Sequence, residues 1–319
     1  MTTVVILTRD DLGPPSNLAR LERLAEVRVC TAAGLADALP GADVLLWWDY
    51  FSPALAQAWG YADRLRWVHV ASAGVDAVLF DELRDSDVLL SNARGVFDQP
   101  IAEFVLASVL AHLKDLPRLY RRQQERHWEH AETLRAAGRT ALVVGTGGIG
   151  RATARLLKAV GFEVRGVGRT PRVTDPDFGQ VVPSAELAEH VGWADHVVLA
   201  APLTDQTRGL VERRVLAAMR PTAQLVNVGR GPLVVEADLI AALESGGIAA
   251  AALDVFETEP LPNDSPLWSL PGVQVSAHLS GDVVGWRDSL AEQFEQNLRR
   301  WVAGEELPSV VDKQRGYAS

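Results

Sequence analysis

The sequence predicts an α/β protein of two domains, each with a parallel sheet, and a cleft between them. Three observations carry this expectation. Short apolar runs alternate with helical patterns almost throughout the 319 residues. The alternation breaks once, near residue 97, where a long helical pattern intervenes. It then restarts at "TALVV" and continues to "VQVSAH". A chain of this length suits two domains and a sizeable core.

The first domain opens on the strand pattern "TVVIL", followed by the helical "NLARLERLAEV" and the strand "VLLWW". "PALAQAWGYADRL", "RWVHV" and "VLLSN" continue the rhythm. The stretch "FDQPIAEFVLASVLAHLKDLPRLYRRQQERHWEH" contains one long helix with Ile101, Phe104, Val105 and Leu110 apolar. Pro117 lies late in it and marks a kink or an end. The last helix, "SLAEQFEQNLRRWVAGEEL", carries Leu290, Phe294, Leu298 and Trp301 on one face and is expected to return to the first domain. The domains are therefore expected at 1–95 plus 284–319, and at 96–283. No short repeat or low-complexity linker interrupts them.

Composition narrows the classes of function. The chain is 48% hydrophobic and 23% charged, ordinary for a globular protein. A formal net charge of −10 argues against a nucleic-acid partner. Cys30 is the single cysteine, read as a small core residue, so no disulfide framework exists. "MTTVVILTRDD" reads as a first strand rather than a signal peptide, and "GGIAAAALDVF" is too short to span a bilayer. The expected location is cytoplasmic, with no membrane partner.

After the strand "TALVV" comes "GTGGIG", with Gly145, Gly147 and Gly150 in G-x-G-x-x-G spacing and a helix striped by Ile149, Ala152, Leu156 and Val160. Strand, glycine turn and helix stand in the order a dinucleotide site requires. The glycines permit a tight turn and close approach, and the helix N-terminus offers N–H groups to phosphates. A purely structural glycine turn is the alternative. Both domains are thus expected to be Rossmann-like, the first flavodoxin-like and the second of the dinucleotide-binding type. The next strand, "FEVRGVG", ends where an acid would hold a ribose hydroxyl, yet Gly168 stands there. Arg169, Thr170 and Arg172 follow. They suit a 2′-phosphate, so NADP(H) is the preferred cofactor and NAD(H) the alternative. A solvated basic loop is the plainer reading of the same residues.

Three later strands end in residues that carry chemistry. "QLVNVGRG" presents Arg230 after Val228 and Gly229, "AAALDVFETEP" presents Asp254 and Glu259, and "VQVSAHLSG" presents His278. In an open parallel sheet the crevice lies beyond the carboxyl ends of the strands, so these residues are candidates to converge beside the nicotinamide. The types suit hydride transfer to a 2-keto acid. His278 would protonate the developing alkoxide. Glu259 would orient the imidazole and stabilise its protonated form. Arg230 would hold the substrate carboxylate and polarise the carbonyl. The remaining histidines are read as structural, and no cluster has metal-ligand spacing.

At these residues the chain resembles the D-isomer-specific 2-hydroxyacid dehydrogenase family. The matching segments include "ASAGVDAV", "VVGTGGIGRATARLL", "APLTDQTRGLV", "VNVGRGPLVVEADLIAALESG" and "AALDVFETEPLP". "SPLW", the closing "GY" and the "GRTPR" loop look most like its glyoxylate/hydroxypyruvate reductase branch. The resemblance implies Arg230, Glu259 and His278 as catalytic residues and Asp254 as a contact of the nicotinamide carboxamide. It implies Gly148 and Ile149 at the pyrophosphate, and Pro202, Thr207, Val228 and Gly229 beside the cofactor. It implies Ala73 and Gly74 as backbone ligands of the substrate carboxylate, and a homodimer joined through an arm at about 98–135. One departure stands out: Ala277 precedes the histidine where the family usually has proline.

Aromatic residues add a last expectation. Trp47, Trp48, Trp128 and Trp286 are core or interface packing, or else walls of the substrate site, Trp286 foremost. The function expected is NAD(P)H-dependent reduction of a small 2-keto acid to the D-2-hydroxy acid. NAD-dependent oxidation of a D-2-hydroxy acid is the alternative within the class. A corepressor-like dinucleotide-sensing protein is the alternative outside it, disfavoured by the lack of long disordered tails.

Overall fold

The computed structural model describes residues 1–318. The fold is α/β, as expected, and divides into two compact units: Met1–Phe97 with the chain from Val283 onward, and Asp98–Asp282.

The first unit holds five parallel strands: β1 (Thr3–Leu7), β2 (Glu26–Cys30), β3 (Val44–Trp47), β4 (Trp67–Val70) and β5 (Leu89–Asn92). Their order, β2-β1-β3-β4-β5, is flavodoxin-like. β1, β3 and β4 are buried at every position. That is why their sequences are continuously apolar rather than alternating. Trp47 and Trp48 are 1% and 4% exposed, so both are core. The helix Trp286–Ala303 belongs to this unit and buries Leu290, Phe294 and Leu298, with Phe294 stacked on Trp67 at 5.6 Å. Beyond it, the Lys313 ammonium donates to the carbonyls of Leu83 and Val88 at 2.9 and 3.0 Å, tying the tail to the sheet edge. Burial lowers the Lys313 pKa.

The second unit holds β6 (Thr140–Val144), β7 (Glu163–Gly168), β8 (Arg172–Asp175), β9 (Gly179–Pro183), β10 (His196–Leu199), β11 (Gln224–Asn227), β12 (Ala250–Leu253) and β13 (Val273–Val275). The order is β13-β12-β11-β10-β6-β7-β9-β8, all parallel except β8. The strand sequence reverses between β6 and β10, and the crevice of a doubly wound sheet opens at that switch point. Leu142, Val144, Val197, Leu199, Leu225 and Leu253 fill one side of the core.

Three local expectations change. The long helical pattern is two helices, Asp98–Leu113 and Leu116–Gln124, broken at Asp115 in the left-handed region (φ 48°). Pro117 therefore starts the second helix, where its missing N–H costs nothing. The helix after the glycine turn, Gly148–Ala159, buries Leu157 fully and Leu156 only in part. It packs against Asp98–Leu113 as well as the sheet, so its apolar surface is wider than one stripe. Finally, the basic "GRTPR" stretch is not wholly loop: Arg172 opens the antiparallel edge strand β8, opposite Val181.

Candidate active site

The glycine turn sits at the switch point. Gly145 follows β6 with φ +108°, which side chains rarely adopt, and a Cβ there would lie 2.5 Å from the carbonyl oxygen of Ala200. A Cβ on Gly150 would lie 1.9 Å from the Gly145 oxygen. Only glycine fits either place, while Gly147 has open space around it. The turn is thus a close-packed glycine cradle at the start of the helix Gly148–Ala159, where N–H groups and the helix dipole favour phosphate, with the Asp98 carboxylate lying against Gly148. The residues fit a dinucleotide.

The end of β7 explains the missing acid in part. A Cβ on Gly168 would stand 3.2 Å from Thr146 Oγ1, so Thr146 crowds the place where a longer side chain would begin. Arg169 and Thr170 beyond it are exposed. Arg172 lies 3.0 Å from Asp175 through Nε, so part of its charge is balanced within the hairpin. Asp175 and Asp177 are also bound by Arg151, at 3.1 and 2.6 Å. Burial raises the Asp175 pKa, but hydrogen bonds from Arg151 and from the N–H groups of Asp177 and Phe178 outweigh it and hold it at about 2. This clasp ties the β8–β9 hairpin to the helix that follows the glycine turn.

The switch-point loop after β10 is closed by Thr207. Its Oγ1 accepts from Thr204 N–H at 2.8 Å and donates to the Pro202 carbonyl at 2.7 Å. Val228 and Gly229 are buried after β11. Asn227 shapes the next turn: its Oδ1 accepts from Gly229 N–H at 3.1 Å, and its Nδ2 donates to the Arg230 carbonyl at 3.0 Å. Gly231 then brings this loop against the following one, because a Cβ there would fall 1.8 Å from the Phe256 oxygen. Arg230 is thereby close enough to Glu259 for its charge to favour the carboxylate.

Glu259 and His278 are paired: Nδ1 of the imidazole stands 2.7 Å from Oε2 of the carboxylate. Oε1 accepts from Phe256 N–H at 3.0 Å. Burial pushes the Glu259 pKa up, but the hydrogen bonds from His278 and Phe256 and the charges of His278 and Arg230 prevail and hold it below the ordinary carboxylate range. With Nδ1 engaged, Nε2 is the nitrogen left to meet a substrate. The 276–280 loop carrying His278 is organised by Asp254, which is wholly buried just after β12. Its Oδ1 accepts from Ser276 Oγ at 2.6 Å and from Leu279 N–H at 2.9 Å, and its Oδ2 accepts from Ser280 N–H at 2.9 Å.

Arg230, Asp254, Glu259 and His278 thus lie together in the second unit, on the ends of β11, β12 and β13. Ala73 and Gly74 lie in the first unit, after β4, with Asn92 donating to the Ala73 carbonyl at 2.5 Å and Ser72 to the Gly74 carbonyl at 2.6 Å. Trp286 also lies in the first unit, 5.9 Å from the Phe97 ring. Trp128 is 99% exposed. Sequence reading missed Asn227 and Ser276. For Asn227 the available signal was a polar residue ending a buried strand; Ser276, after the half-exposed β13, had no such signal. Among the described residues no group of His, Cys, Asp or Glu is arranged to hold a metal ion, and no helix is long and apolar enough to cross a membrane.

Comparison with known proteins identifies the family. The profile of the family described as D-isomer specific 2-hydroxyacid dehydrogenase, NAD binding domain, matches residues 106–280. Glyoxylate/hydroxypyruvate reductase A of Serratia proteamaculans is 32% identical over 303 residues, covering 89% of this chain and 95% of the relative. A D-isomer specific 2-hydroxyacid dehydrogenase from Xanthobacter autotrophicus, solved with NADPH and MES, is 34% identical, with a TM-score of 0.84 over 99% of this chain and 100% of that one. The NADPH-dependent glyoxylate/hydroxypyruvate reductase of Sinorhizobium meliloti, solved with NADP and sulfate, is 29% identical, with a TM-score of 0.83 over 99% and 100%. With the profile matching more than half of its length, the chain belongs to the D-isomer-specific 2-hydroxyacid dehydrogenase family and resembles its glyoxylate/hydroxypyruvate reductase branch.

Proposed function

We propose that the protein reduces a small 2-keto acid to the D-2-hydroxy acid, preferring NADPH to NADH. The observation that carries the reading is the His278–Glu259 pair at 2.7 Å beside the Arg230 charge, in the same unit as the glycine cradle. Gly145, Gly147, Gly148, Ile149 and Gly150 hold the pyrophosphate. Pro202, Thr207, Val228 and Gly229 flank the nicotinamide half, and Arg169 and Thr170, with Arg172, receive the 2′-phosphate. When bound, the cofactor supplies a hydride to the substrate carbonyl carbon.

The chain's own groups do the rest. Arg230 binds the substrate carboxylate and draws electron density toward the carbonyl oxygen. His278 holds a proton on Nε2 and delivers it to the oxygen as negative charge develops. Glu259 keeps Nδ1 occupied, so the ring cannot rotate away, and its negative charge stabilises the protonated ring. Within the first unit, the backbone N–H groups of Ala73 and Gly74 are the candidate ligands for a substrate carboxylate, and Trp286 is the candidate apolar wall. The exposed apolar residues of 116–134, Leu116, Leu119, Tyr120, Trp128 and Leu134, are the surface through which two copies pair.

The test is a panel of about ten small 2-keto acids assayed with both cofactors. Turnover with glyoxylate or hydroxypyruvate, a higher kcat/KM with NADPH, and loss of turnover in His278→Ala are expected. An NADH preference above about tenfold would overturn the cofactor assignment, and full turnover by His278→Ala would overturn the proton donor.

A further inference from the structure

We propose that Ser276 is a positioning residue for His278, acting through the buried carboxylate of Asp254. The inference rests on His278 being the proton donor proposed above. The structure shows a histidine held in an unusual backbone state by a closed set of hydrogen bonds. His278 has φ +52°, in the left-handed region that residues other than glycine adopt uncommonly, histidine more readily than most, and that its surroundings demand here.

The demand comes from one residue. The backbone N–H of His278 donates to the Asp254 carbonyl at 2.8 Å. The Asp254 carboxylate takes donors from both sides of His278: Ser276 Oγ at 2.6 Å, Leu279 N–H at 2.9 Å and Ser280 N–H at 2.9 Å. The His278 ring is held through Nδ1 by Glu259 at 2.7 Å. Backbone and ring are thus fixed independently, one by Asp254 and the other by Glu259. Of the three donors to the Asp254 carboxylate, Ser276 alone is a side chain, so it alone is open to substitution.

The residue between Ser276 and His278 sharpens the point. Ala277 leaves its own φ unrestrained, whereas a proline there would fix it. In this chain the restraint on the approach to His278 falls to the Ser276 hydroxyl. Removing that hydroxyl leaves a fully buried carboxylate with one donor fewer. The loop then relaxes to serve the carboxylate, and Nε2 no longer stays at one place. Misplacement of a reacting group by about 1 Å costs up to about a hundredfold in rate.

The experiment compares wild type, Ser276→Ala and Ser276→Thr. Turnover is measured with saturating 2-keto acid, NADPH affinity by fluorescence, and the kinetic isotope effect with 4-deuterated NADPH. Long-range proton–nitrogen NMR of the His278 ring is recorded without cofactor. Ser276→Ala is expected to lose about ten- to a hundredfold in kcat with NADPH affinity within about twofold of wild type. Its isotope effect rises as the chemical step becomes limiting, and its His278 ring signals broaden. Ser276→Thr restores the hydroxyl and stays within about threefold of wild type.

A Ser276→Ala protein with wild-type kcat and isotope effect overturns the proposal, and so does a threonine variant as impaired as the alanine one. Unchanged His278 ring signals overturn it whatever the activity. If Ser276→Ala does not fold, Ser276→Cys takes its place: an intermediate kcat supports the role and a wild-type kcat refutes it. Absence of turnover in wild type, with the ring signals still responding to Ser276→Ala, counts against the reductase reading and leaves the positioning of His278 standing.

Discussion

Glu259→Gln isolates the charge that the site places behind its imidazole. The substitution keeps the shape of the side chain and removes one acceptor. Glutamate uses both oxygens, Oε2 toward His278 Nδ1 at 2.7 Å and Oε1 toward Phe256 N–H at 3.0 Å. Glutamine has a single acceptor oxygen, so one of the two donors meets an NH2 group. A hydrogen bond to a charged group contributes about 1.5–3 kcal/mol. The two side chains are 39% and 34% exposed, and solvent screening favours the lower end of that range. At about 1.4 kcal/mol per factor of ten, kcat/KM for keto-acid reduction falls about tenfold at neutral pH. The loss is felt in kcat rather than in the KM for NADPH, because Glu259 acts on the proton donor. The assay is steady-state reduction from pH 5.5 to 9, with melting curves carried on down to about pH 3. Since the imidazole loses its counter-charge, turnover is expected to fall throughout the range of the rate assay. Stability follows the carboxylate. Its folded-state pKa is depressed, so its contribution is full above the unfolded value near about 4.3 and fades as the pH falls through the folded value. A rate profile identical to wild type across the whole range would falsify the assignment of Glu259 as the partner of the acid.

Three further perturbations follow from the same geometry. Gly231→Ala places a Cβ 1.8 Å from the Phe256 oxygen, which forces the Arg230 and Glu259 loops apart; a stability loss of about 1–3 kcal/mol and a large fall in kcat are expected, and a wild-type Tm would refute the close approach. Arg169→Ala should raise the Kd for NADPH by about tenfold and leave NADH binding unchanged; equal losses for the two cofactors would reduce the loop to solvated charge. Asp175→Asn cuts the clasp between the β8–β9 hairpin and Arg151. The folded-state pKa of Asp175 is depressed to about 2, so wild type should melt above the variant at neutral pH, with the gap closing as the pH falls toward that value. A gap that widens in acid would contradict the sign of that shift.

Periodicity made the sheets legible because parallel strands covered on both faces must be apolar at every position. "TALVV" and "QLVN" are short apolar runs between helical patterns, and both are wholly or almost wholly buried. The chemistry-bearing residues were legible as strand ends for a topological reason: a parallel sheet delivers the carboxyl end of every strand to one edge. Arg230, Asp254 and His278 reach that edge without any contact between them being visible in the sequence. The break at Asp115 was not legible, because an aspartate in the left-handed region has no periodic signature, while Pro117 attracted the reading two residues too late. The edge strand β8 was hidden for a different reason. Its burial is low, and it is held by the Asp175–Arg151 clasp rather than by apolar side chains.

The 276–280 loop shows where sequence reading stops. Position −2 from the histidine carries serine and position −1 carries alanine, and neither looks like machinery. Their meaning depends on Asp254, more than twenty residues upstream and on a neighbouring strand, whose carboxylate is out of water and must be satisfied by donors. That constraint selects the loop conformation: three donors must converge on one carboxylate, and the left-handed state of His278 is what brings the donors on its two sides to it. The buried acid thus acts on the exposed imidazole without touching it. A substitution at Ser276 and one at Glu259 should both lower turnover, but through different freedoms of the same residue, the backbone in one case and the ring in the other. If that division holds, the double variant Ser276→Ala with Glu259→Gln should lose about the product of the two single losses. A double loss no larger than the worse single one would mean that the two restraints are a single coupled network, with the acid and the serine acting on one motion of the imidazole.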